Sequence, residues 1–335
     1  MRVRLGAHQV LPAPLALWLI MPAAALVWLS CSRPNKAQNA QASFIEVSAG
    51  DLPSCALRTN GTAACWGENS DGAATPPEGT FSQISAGANI SCGLGTDGSL
   101  ACWGFNEHGE AAPPQGTFTQ VSSEFGSCAL RTDSTVVCWG GFEQAPSGKF
   151  KQIDQGVYFG CGVKTDHTLA CWGLDSQRQA SPPDGAFIQV SAGIFACALK
   201  TDRTVACWGN NPLGQVSSPS GTFTQISVGG NGGCGVKTDG TLACWEFNGG
   251  EETTPFAGTF TEVSTGLSHS CAVKTDGTLV CWGEDDYGEA TPPPSTPITH
   301  RSPAPIPLTL AIVIAGGTML LVAGGWYAGR RSPAR

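Results

Sequence analysis

The sequence predicts an all-β fold, a seven-bladed β-propeller, and three observations support this prediction. Seven pairs of cysteines recur along the chain, each pair ten positions apart, and a tryptophan follows the second cysteine every time. Each repeat of about 37 residues also begins with a phenylalanine, from Phe44 in the first to Phe260 in the seventh. Within a repeat, apolar and β-branched residues occupy every second position in short runs, and Gly, Asp and Pro separate the runs. This pattern is typical of short strands. Seven units without a partial eighth favour a closed ring over an open solenoid.

Each repeat is predicted to contain four strands. Strand A begins at the phenylalanine, strand B begins at the first cysteine, and strand C ends at the Trp-Gly pair. Strand D is the short segment before the paired prolines, Glu289–Thr291 in the last repeat. Four-stranded units joined by short connections suit the blades of a propeller, in which radial closure removes exposed sheet edges.

The connection between strands B and C is predicted to be a three-residue hairpin loop. Thr238-Asp239-Gly240 is an example, in which the glycine takes the left-handed backbone conformation at little cost. With Asp239 at the centre, Cys234 lies directly opposite Cys244, and the same spacing holds in every repeat. Three repeats place another residue at the glycine position: Ser134, His167 and Arg203.

Fourteen of the fifteen cysteines belong to the seven pairs, and Cys31 does not. Pairs this regular predict a disulfide framework and a compartment outside the cytosol. Free buried thiols and a metal site are the alternatives, and zinc is disfavoured because this spacing is not the usual one for its ligands; we therefore expect no metal. The predicted bridges are Cys55–Cys65, Cys92–Cys102, Cys128–Cys138, Cys161–Cys171, Cys197–Cys207, Cys234–Cys244 and Cys271–Cys281.

The two ends of the chain suggest export and a membrane anchor. Residues 1–31 have a basic start and an apolar core, as a secretory signal does, and Cys31 stands where a bacterial lipoprotein signal carries its lipid. An uncleaved anchor, or cleavage near Ala40–Ala42, is the alternative. Residues 32–43 form a linker, 44–294 the propeller and 295–307 a proline-rich spacer. Residues 308–328 are apolar and long enough for a membrane span. The basic tail 329–335 is expected in the cytoplasm, unless the segment is a sorting signal that is cut off.

Composition limits the classes of partner. The formal net charge is −8 and only 13% of the residues are charged. Nucleic-acid binding requires dense Lys and Arg, so we expect no nucleic-acid partner, and no cofactor motif is present. The expected partner is another protein at the cell surface or in the envelope. Membrane attachment is expected through the C-terminal helix and, if Cys31 carries a lipid, through the N-terminus.

The repeat resembles a known family. The segment Gly266–Gly277, which reads G-L-S-H-S-C-A-V-K-T-D-G, resembles the repeat of the regulator of chromosome condensation, and the likeness extends over residues 44–294. In length the units look like those of a bacterial secreted β-lactamase-inhibitor propeller, and the cysteine pairs are similar to those of crinkly-type receptor ectodomains. The resemblance implies a seven-bladed propeller but no single function. The family's best-known activity, guanine-nucleotide exchange, is not expected of an exported domain that never meets a cytosolic GTPase.

Strand parity assigns the A–B and C–D loops to one face, which we call the upper face. These loops differ between repeats, whereas the turns of the opposite face repeat, so the upper face is the expected binding surface. Aromatic residues occur in the A–B loops of repeats 3, 4 and 5 alone, and the predicted protein-binding residues are Phe125, Tyr158, Phe159 and Phe195. The alternative is that these side chains plug the channel or pack between blades.

No catalytic set emerges from the sequence, so we expect a binding module and not an enzyme. The aspartates of the hairpin loops are turn residues, and the single His269 is expected to be structural. Two alternatives remain open. One is a secreted enzyme with an acidic site beside the channel, where Glu124 and Asp154 would have to converge; the other is a structural envelope protein that self-associates.

Overall fold

The computed structural model describes residues 43–141, 147–209, 218–245 and 256–294. Over these residues the chain forms seven antiparallel sheets of three strands each, blades 1 to 7 in chain order. The expected signal with Cys31, the linker before residue 43, the spacer, the span 308–328 and the basic tail lie outside the described residues. Within the described ranges, no helix has the length and hydropathy needed to cross a bilayer.

Each blade consists of an inner, a middle and an outer strand, consecutive in sequence. In chain order the strands are β1 (Phe44–Ala49), β2 (Pro53–Arg58) and β3 (Ala63–Gly67); β4 (Phe81–Ala86), β5 (Ile90–Gly95) and β6 (Leu100–Gly104); β7 (Phe118–Ser123), β8 (Ser127–Arg131) and β9 (Val136–Trp139); β10 (Phe150–Gly156), β11 (Phe159–Lys164) and β12 (Leu169–Gly173); β13 (Phe187–Ala192), β14 (Phe195–Lys200) and β15 (Val205–Gly209); β16 (Phe223–Val228), β17 (Gly233–Lys237) and β18 (Leu242–Trp245); and β19 (Phe260–Thr265), β20 (His269–Lys274) and β21 (Leu279–Gly283).

In the described part of the chain, the hydrophobic core is divided into seven clusters, and each cluster lies between two neighbouring blades. One of them joins Val163 of blade 4 to Phe187 and Val190 of blade 5. The phenylalanine that opens each inner strand is buried in every blade. Because sheets in a propeller bury their faces against each other, this residue packs the seam between blades and not the interior of its own sheet. The repeated phenylalanine is therefore a seam residue.

The ring closes between blade 7 and blade 1. Phe44 and Val47 of blade 1 share a buried cluster with Val273 and Leu279 of blade 7. The backbone N–H of Phe44 also donates to the carbonyl of Gly277, with 3.0 Å between N and O. Equivalent bonds join the other neighbours, for example from Phe81 to Gly61. The closure thus includes the same backbone bond as the other seams, and in the described residues each of the two terminal blades is a sheet of three consecutive strands.

The predicted hairpins and disulfides are confirmed. Each first cysteine pairs directly with the second across the middle and outer strands, and all seven predicted disulfides are formed. The loop residues Ser134, His167 and Arg203 have φ angles of 71°, 72° and 71°, in the left-handed region where other repeats place glycine.

The predicted strand D is wrong in the four repeats in which the segment is described. In repeat 7, the N–H of Gly288 donates to the Asp285 carbonyl, and the N–H of Ala290 donates to Asp285 Oδ1. These bonds form a turn, and the prolines that follow have no N–H to offer to a ladder. A sheet edge needs successive free donors and acceptors, so this segment cannot become a fourth strand.

The end of each described repeat instead docks on the next blade. The indole N–H of Trp66 in blade 1 donates to the carbonyl of Glu289 at the end of repeat 7, with 2.7 Å between N and O. The corresponding bonds join the indole of Trp103 to Ala73, that of Trp139 to Glu110, and that of Trp208 to Gln179. The recurring tryptophan therefore holds consecutive repeats together.

Candidate functional site

The inner strands surround a central channel whose wall contains a ring of polar side chains. In blades 2 to 6 the ring position is glutamine, and in blades 1 and 7 it is Glu46 and Glu262. Each glutamine spans the seam to the next blade. Oε1 of Gln225 accepts from the N–H of Val263 at 3.0 Å, and its Nε2 donates to the carbonyl of the same residue at 2.7 Å. The side-chain amide thus satisfies both backbone groups of the neighbouring inner strand.

The two glutamates cannot do the same while they are ionised. Oε1 of Glu46 accepts from the N–H of Ile84 at 3.1 Å, but a carboxylate has no proton to donate to the neighbouring carbonyl. Burial raises the pKa of Glu46 to about 7. Burial, together with the nearby charge of Glu46, raises the pKa of Glu262 well above its ordinary value. Both exceptions flank the seam between blades 7 and 1, where the ring closes.

A second ring, two residues further along each inner strand, is built of serines with one exception. The hydroxyl of Ser191, for example, accepts from the N–H of Val228 at 3.0 Å. In blade 4 the position is Asp154, whose Oδ2 accepts from the N–H of Ala192 at 2.8 Å and whose Oδ1 accepts from the Ser122 hydroxyl at 2.9 Å. Burial in the channel wall raises the pKa of Asp154 to about 6.

A collar of glycines narrows the upper mouth of the channel. A Cβ atom on Gly229 would lie 1.7 Å from the carbonyl oxygen of Gly266, and one on Gly266 would lie 2.0 Å from that of Gly50. At Gly229 and Gly266 the backbones of neighbouring blades approach so closely that there is no room for a Cβ atom. Six of the seven repeats have glycine at this position, and the third has Glu124.

Glu124 meets a second carboxyl group at the mouth. Its side chain is hydrogen-bonded to that of Asp51 in the A–B loop of blade 1. Burial, followed by the charges of Asp51 and Asp154, raises the pKa of Glu124 well above its ordinary value. Asp51, Glu124 and Asp154 line the same upper cavity. The structure therefore brings Glu124 and Asp154 to one cavity and adds Asp51, which sequence reasoning missed. Three exceptions to the repeat pattern converge there, and that departure was the signal available in the sequence.

An exposed apolar patch lies beside the mouth, on blades 3 and 4. The rings of Phe125 and Tyr158 stack with 5.2 Å between their centroids and 19° between their planes. Phe125 is 39% exposed, Tyr158 52% and Leu174 45%. The N–H of Leu174 donates to the Tyr158 carbonyl at 2.8 Å, so Leu174 lies next to Tyr158. We call Phe125, Tyr158 and Leu174 the apolar patch.

Tyr158 adopts an unusual backbone conformation. It is the second residue of the two-residue turn between β10 and β11, and its φ angle is 60°. Glycine or asparagine is usual at such a position, because a bulky side chain in the left-handed region is strained. Strained residues tend to occur at functional sites, and here the strained residue is also the most exposed member of the patch.

Phe159 and Phe195 do not belong to this surface, which corrects the sequence-based prediction. Each is the first residue of its middle strand, and the two are 1% and 0% exposed. Phe159 packs between blades 4 and 5, and Phe195 between blades 5 and 6. Ile90 of blade 2 begins its middle strand in the same way and is also buried. That recurrence could have distinguished the strand residues from the loop residues. The alternative of packing between blades holds for these two side chains.

A further pair of functional groups meets at the closure of the ring. The hydroxyl oxygen of Ser54 lies 2.6 Å from Nε2 of His269, and both side chains are fully buried. Burial lowers the pKa of His269 to about 4. A buried serine–histidine pair has no access to a substrate, so this contact joins blade 1 to blade 7, as expected for a structural histidine.

The matches to known proteins agree with this architecture. The family model of the regulator of chromosome condensation (RCC1) repeat matches residues 44–73, 81–110 and 260–289. The ectodomain of the Physcomitrella patens receptor kinase CR4 is 24% identical, with a TM-score of 0.63; the match covers 72% of this chain and 74% of that one. The CRINKLY WD40 ectodomain of the Arabidopsis thaliana receptor kinase ACR4 is also 24% identical, with a TM-score of 0.61 and coverage of 72% and 96%.

Similarity at this level of identity is evidence for the fold alone. No curated protein sequence matches the chain significantly. Within the described residues, no group of three or more His, Cys, Asp or Glu side chains is placed to hold a metal ion. The three matched segments are blades 1, 2 and 7, and the remaining blades repeat the same three-stranded sheet and disulfide. The repeats of blades 1, 2 and 7 therefore match the RCC1 repeat, as the motif Gly266–Gly277 in the seventh repeat predicted.

Proposed function

We propose that the protein is a membrane-anchored propeller outside the cytoplasm that binds another protein through its upper face. The observation that supports this most directly is the apolar patch, in which two stacked aromatic rings are held in solvent by a strained turn. Tyrosine is among the residues enriched in binding hot spots, and an exposed apolar patch is typical of interaction sites. The rest of the ring supplies that scaffold.

The location outside the cytoplasm rests on the cysteines. Seven disulfides in one domain suit an oxidising compartment, and the two similar propellers described above come from receptor ectodomains. The anchor rests on the sequence of residues 308–328 alone. Intact-mass measurement of the protein from its native host tests both, because it reports reduction-dependent hydrogens, lipid on Cys31 and loss of the C-terminal segment.

Binding is tested by site-specific crosslinking from the patch in the native host. A photocrosslinking residue at position 125 should capture a defined partner, and Tyr158→Asn in the same chain should abolish the capture. Asparagine tolerates the left-handed conformation, so the fold is preserved. The matched control is Tyr287→Ser, which removes a tyrosine that is 60% exposed outside the patch. Equal capture by the wild type and Tyr158→Asn would overturn the proposal. A crosslink only to a second copy of the chain would support the self-associating alternative.

A further inference from the structure

We propose that the partner of the upper face is a polypeptide segment that carries a basic side chain beside an apolar one. The basic group enters the channel mouth between Asp51 and Glu124, and the apolar residue packs on Phe125, Tyr158 and Leu174. This inference rests on the proposed function, because it specifies the chemistry of the partner that the patch binds.

The apolar patch and the acidic mouth are one continuous surface. Glu124 and Phe125 are consecutive in the short loop between β7 and β8, where the N–H of Glu124 donates to the Gly126 carbonyl at 2.8 Å. Glu124 lines the cavity at the mouth, whereas Phe125 is exposed and stacks on Tyr158. A short ligand segment that covers the aromatic rings therefore lies next to the channel mouth that Glu124 lines.

The carboxyl groups at the mouth have no cation to balance them within the described residues. The close contacts between basic and acidic side chains in the described residues join His108 to Glu110 and Lys149 to Asp133, and none of these four residues lines the mouth. Asp51 and Glu124 are instead hydrogen-bonded to each other, and burial together with the second carboxyl raises the pKa of Glu124. An incoming cation would replace this carboxyl–carboxyl contact by two attractive ones, which is electrostatic complementarity of the kind that selects a partner.

A basic side chain fits this mouth better than other cations do. A bound metal ion is disfavoured, since the described acidic groups are not arranged as a ligand set. The cavity is also lined by the apolar residues Val157, Ile194 and Leu267. Arginine combines an apolar stem with a planar fork of donors that suits carboxylates. The neighbouring patch then requires an apolar residue next to it in the same segment.

The test uses the full-length protein in detergent micelles and three synthetic peptides. The probe is acetyl-Trp-Gly-Arg-amide, and the controls replace arginine by citrulline, which has the same shape without the charge, or by glutamate. Calorimetric titration should show binding of the arginine peptide and at least about tenfold weaker binding of the citrulline peptide. Equal affinity for the two, or no binding of the arginine peptide up to about 1 mM, would overturn the inference.

Variants locate the binding. Glu124→Gln and Tyr158→Asn should each weaken the binding of the arginine peptide by about tenfold. Asp71→Asn, which changes an exposed acid away from the mouth, should leave the affinity for this peptide unchanged. Thermal unfolding of each variant checks that the ring is intact. Glu124→Gln with wild-type affinity contradicts the inference.

The same variants separate this inference from the proposed function. If Tyr158→Asn loses partner capture while the arginine and citrulline peptides bind equally, the proposed binding face is correct and the proposal of a basic segment is wrong. If neither variant affects capture, both proposals fail.

Discussion

Ser54 of blade 1 and His269 of blade 7 form a hydrogen bond across the closure of the ring, with 2.6 Å between Oγ and Nε2. The two residues are 215 positions apart in sequence. Six repeats have another residue where the seventh has His269, so this contact distinguishes the closing seam from the others. Because the histidine is buried and its pKa is lowered to about 4, the seam requires the neutral imidazole.

The first prediction is that acid weakens the seam through His269. An unfolded histidine takes up its proton near pH 6.5, whereas the folded one does so near 4. The contribution of His269 to the free energy of unfolding should therefore be fully present above pH 6.5 and should fall by about 3 kcal/mol as the pH drops to 4. His269→Phe, which copies the residue that blade 5 has at this position, should remove this contribution in urea unfolding at pH 4.5 and 7.5. His108→Gln at an exposed site is the control, and an identical pH profile in wild type and His269→Phe would contradict the prediction.

The second prediction concerns the glutamates of the glutamine ring and has the opposite sign. The raised pKa values of Glu46 and Glu262 mean that the protonated forms suit the fold. Their contribution is complete below about pH 4.5 and is lost as the pH rises through the folded pKa, about 7 for Glu46. Glu46→Gln with Glu262→Gln should therefore add about 1–3 kcal/mol to the free energy of unfolding at pH 8 and almost nothing at pH 4. Gln225→Glu is the matched reversal, and it should lose stability at pH 8.

The third prediction separates lack of space from backbone strain among the glycines. Gly229→Ala places a Cβ 1.7 Å from the Gly266 carbonyl oxygen, so it should cost at least about 3 kcal/mol. Gly288→Ala meets no atom within 4 Å but keeps a φ of +83°, and it should cost only about 1 kcal/mol. Chemical denaturation of both variants checks this. Similar losses would mean that the collar can widen.

The fourth prediction concerns the disulfides. Cys197→Ala with Cys207→Ala should lower the free energy of unfolding by about 2.5 kcal/mol, because the bond closes a short hairpin loop. The difference from the wild type should vanish when both proteins are unfolded under reducing conditions. If it persists there, the loss arises from packing of the buried Cys197 and not from the bond.

The sequence predicted the features that repeat within one blade. The opposed cysteines follow from counting along a single hairpin, and the left-handed φ at Ser134 follows from its position in the turn. The location of Phe159 at the start of a strand, and not in a loop, was missed because the loops between the inner and middle strands vary from two to four residues, although the equivalent Ile90 was an available signal. Phe125 and Tyr158 were found because they interrupt the repeat.

The contacts between blades were missed because they join residues far apart in sequence. The glutamine ring links positions 37 or 38 apart in most seams, and periodicity does not show which face of an inner strand looks into the channel. Strand D was predicted from its spacing alone. The hydrogen bonds to Asp285 and the prolines that follow favour a turn in this segment. A polar residue such as Gln225, recurring inside a buried strand, was the available signal for the rings.

The docking of each repeat on the next blade affects the order in which the molecule is completed. Because synthesis runs from the N-terminus, Trp66 is made long before Glu289, its hydrogen-bond acceptor 223 positions later. The side of blade 1 that contacts blade 7 therefore stays exposed while six further blades are synthesised. The first blade to be synthesised is the last to be finished, and any chaperone that protects the growing chain has to cover that side until the final turn arrives.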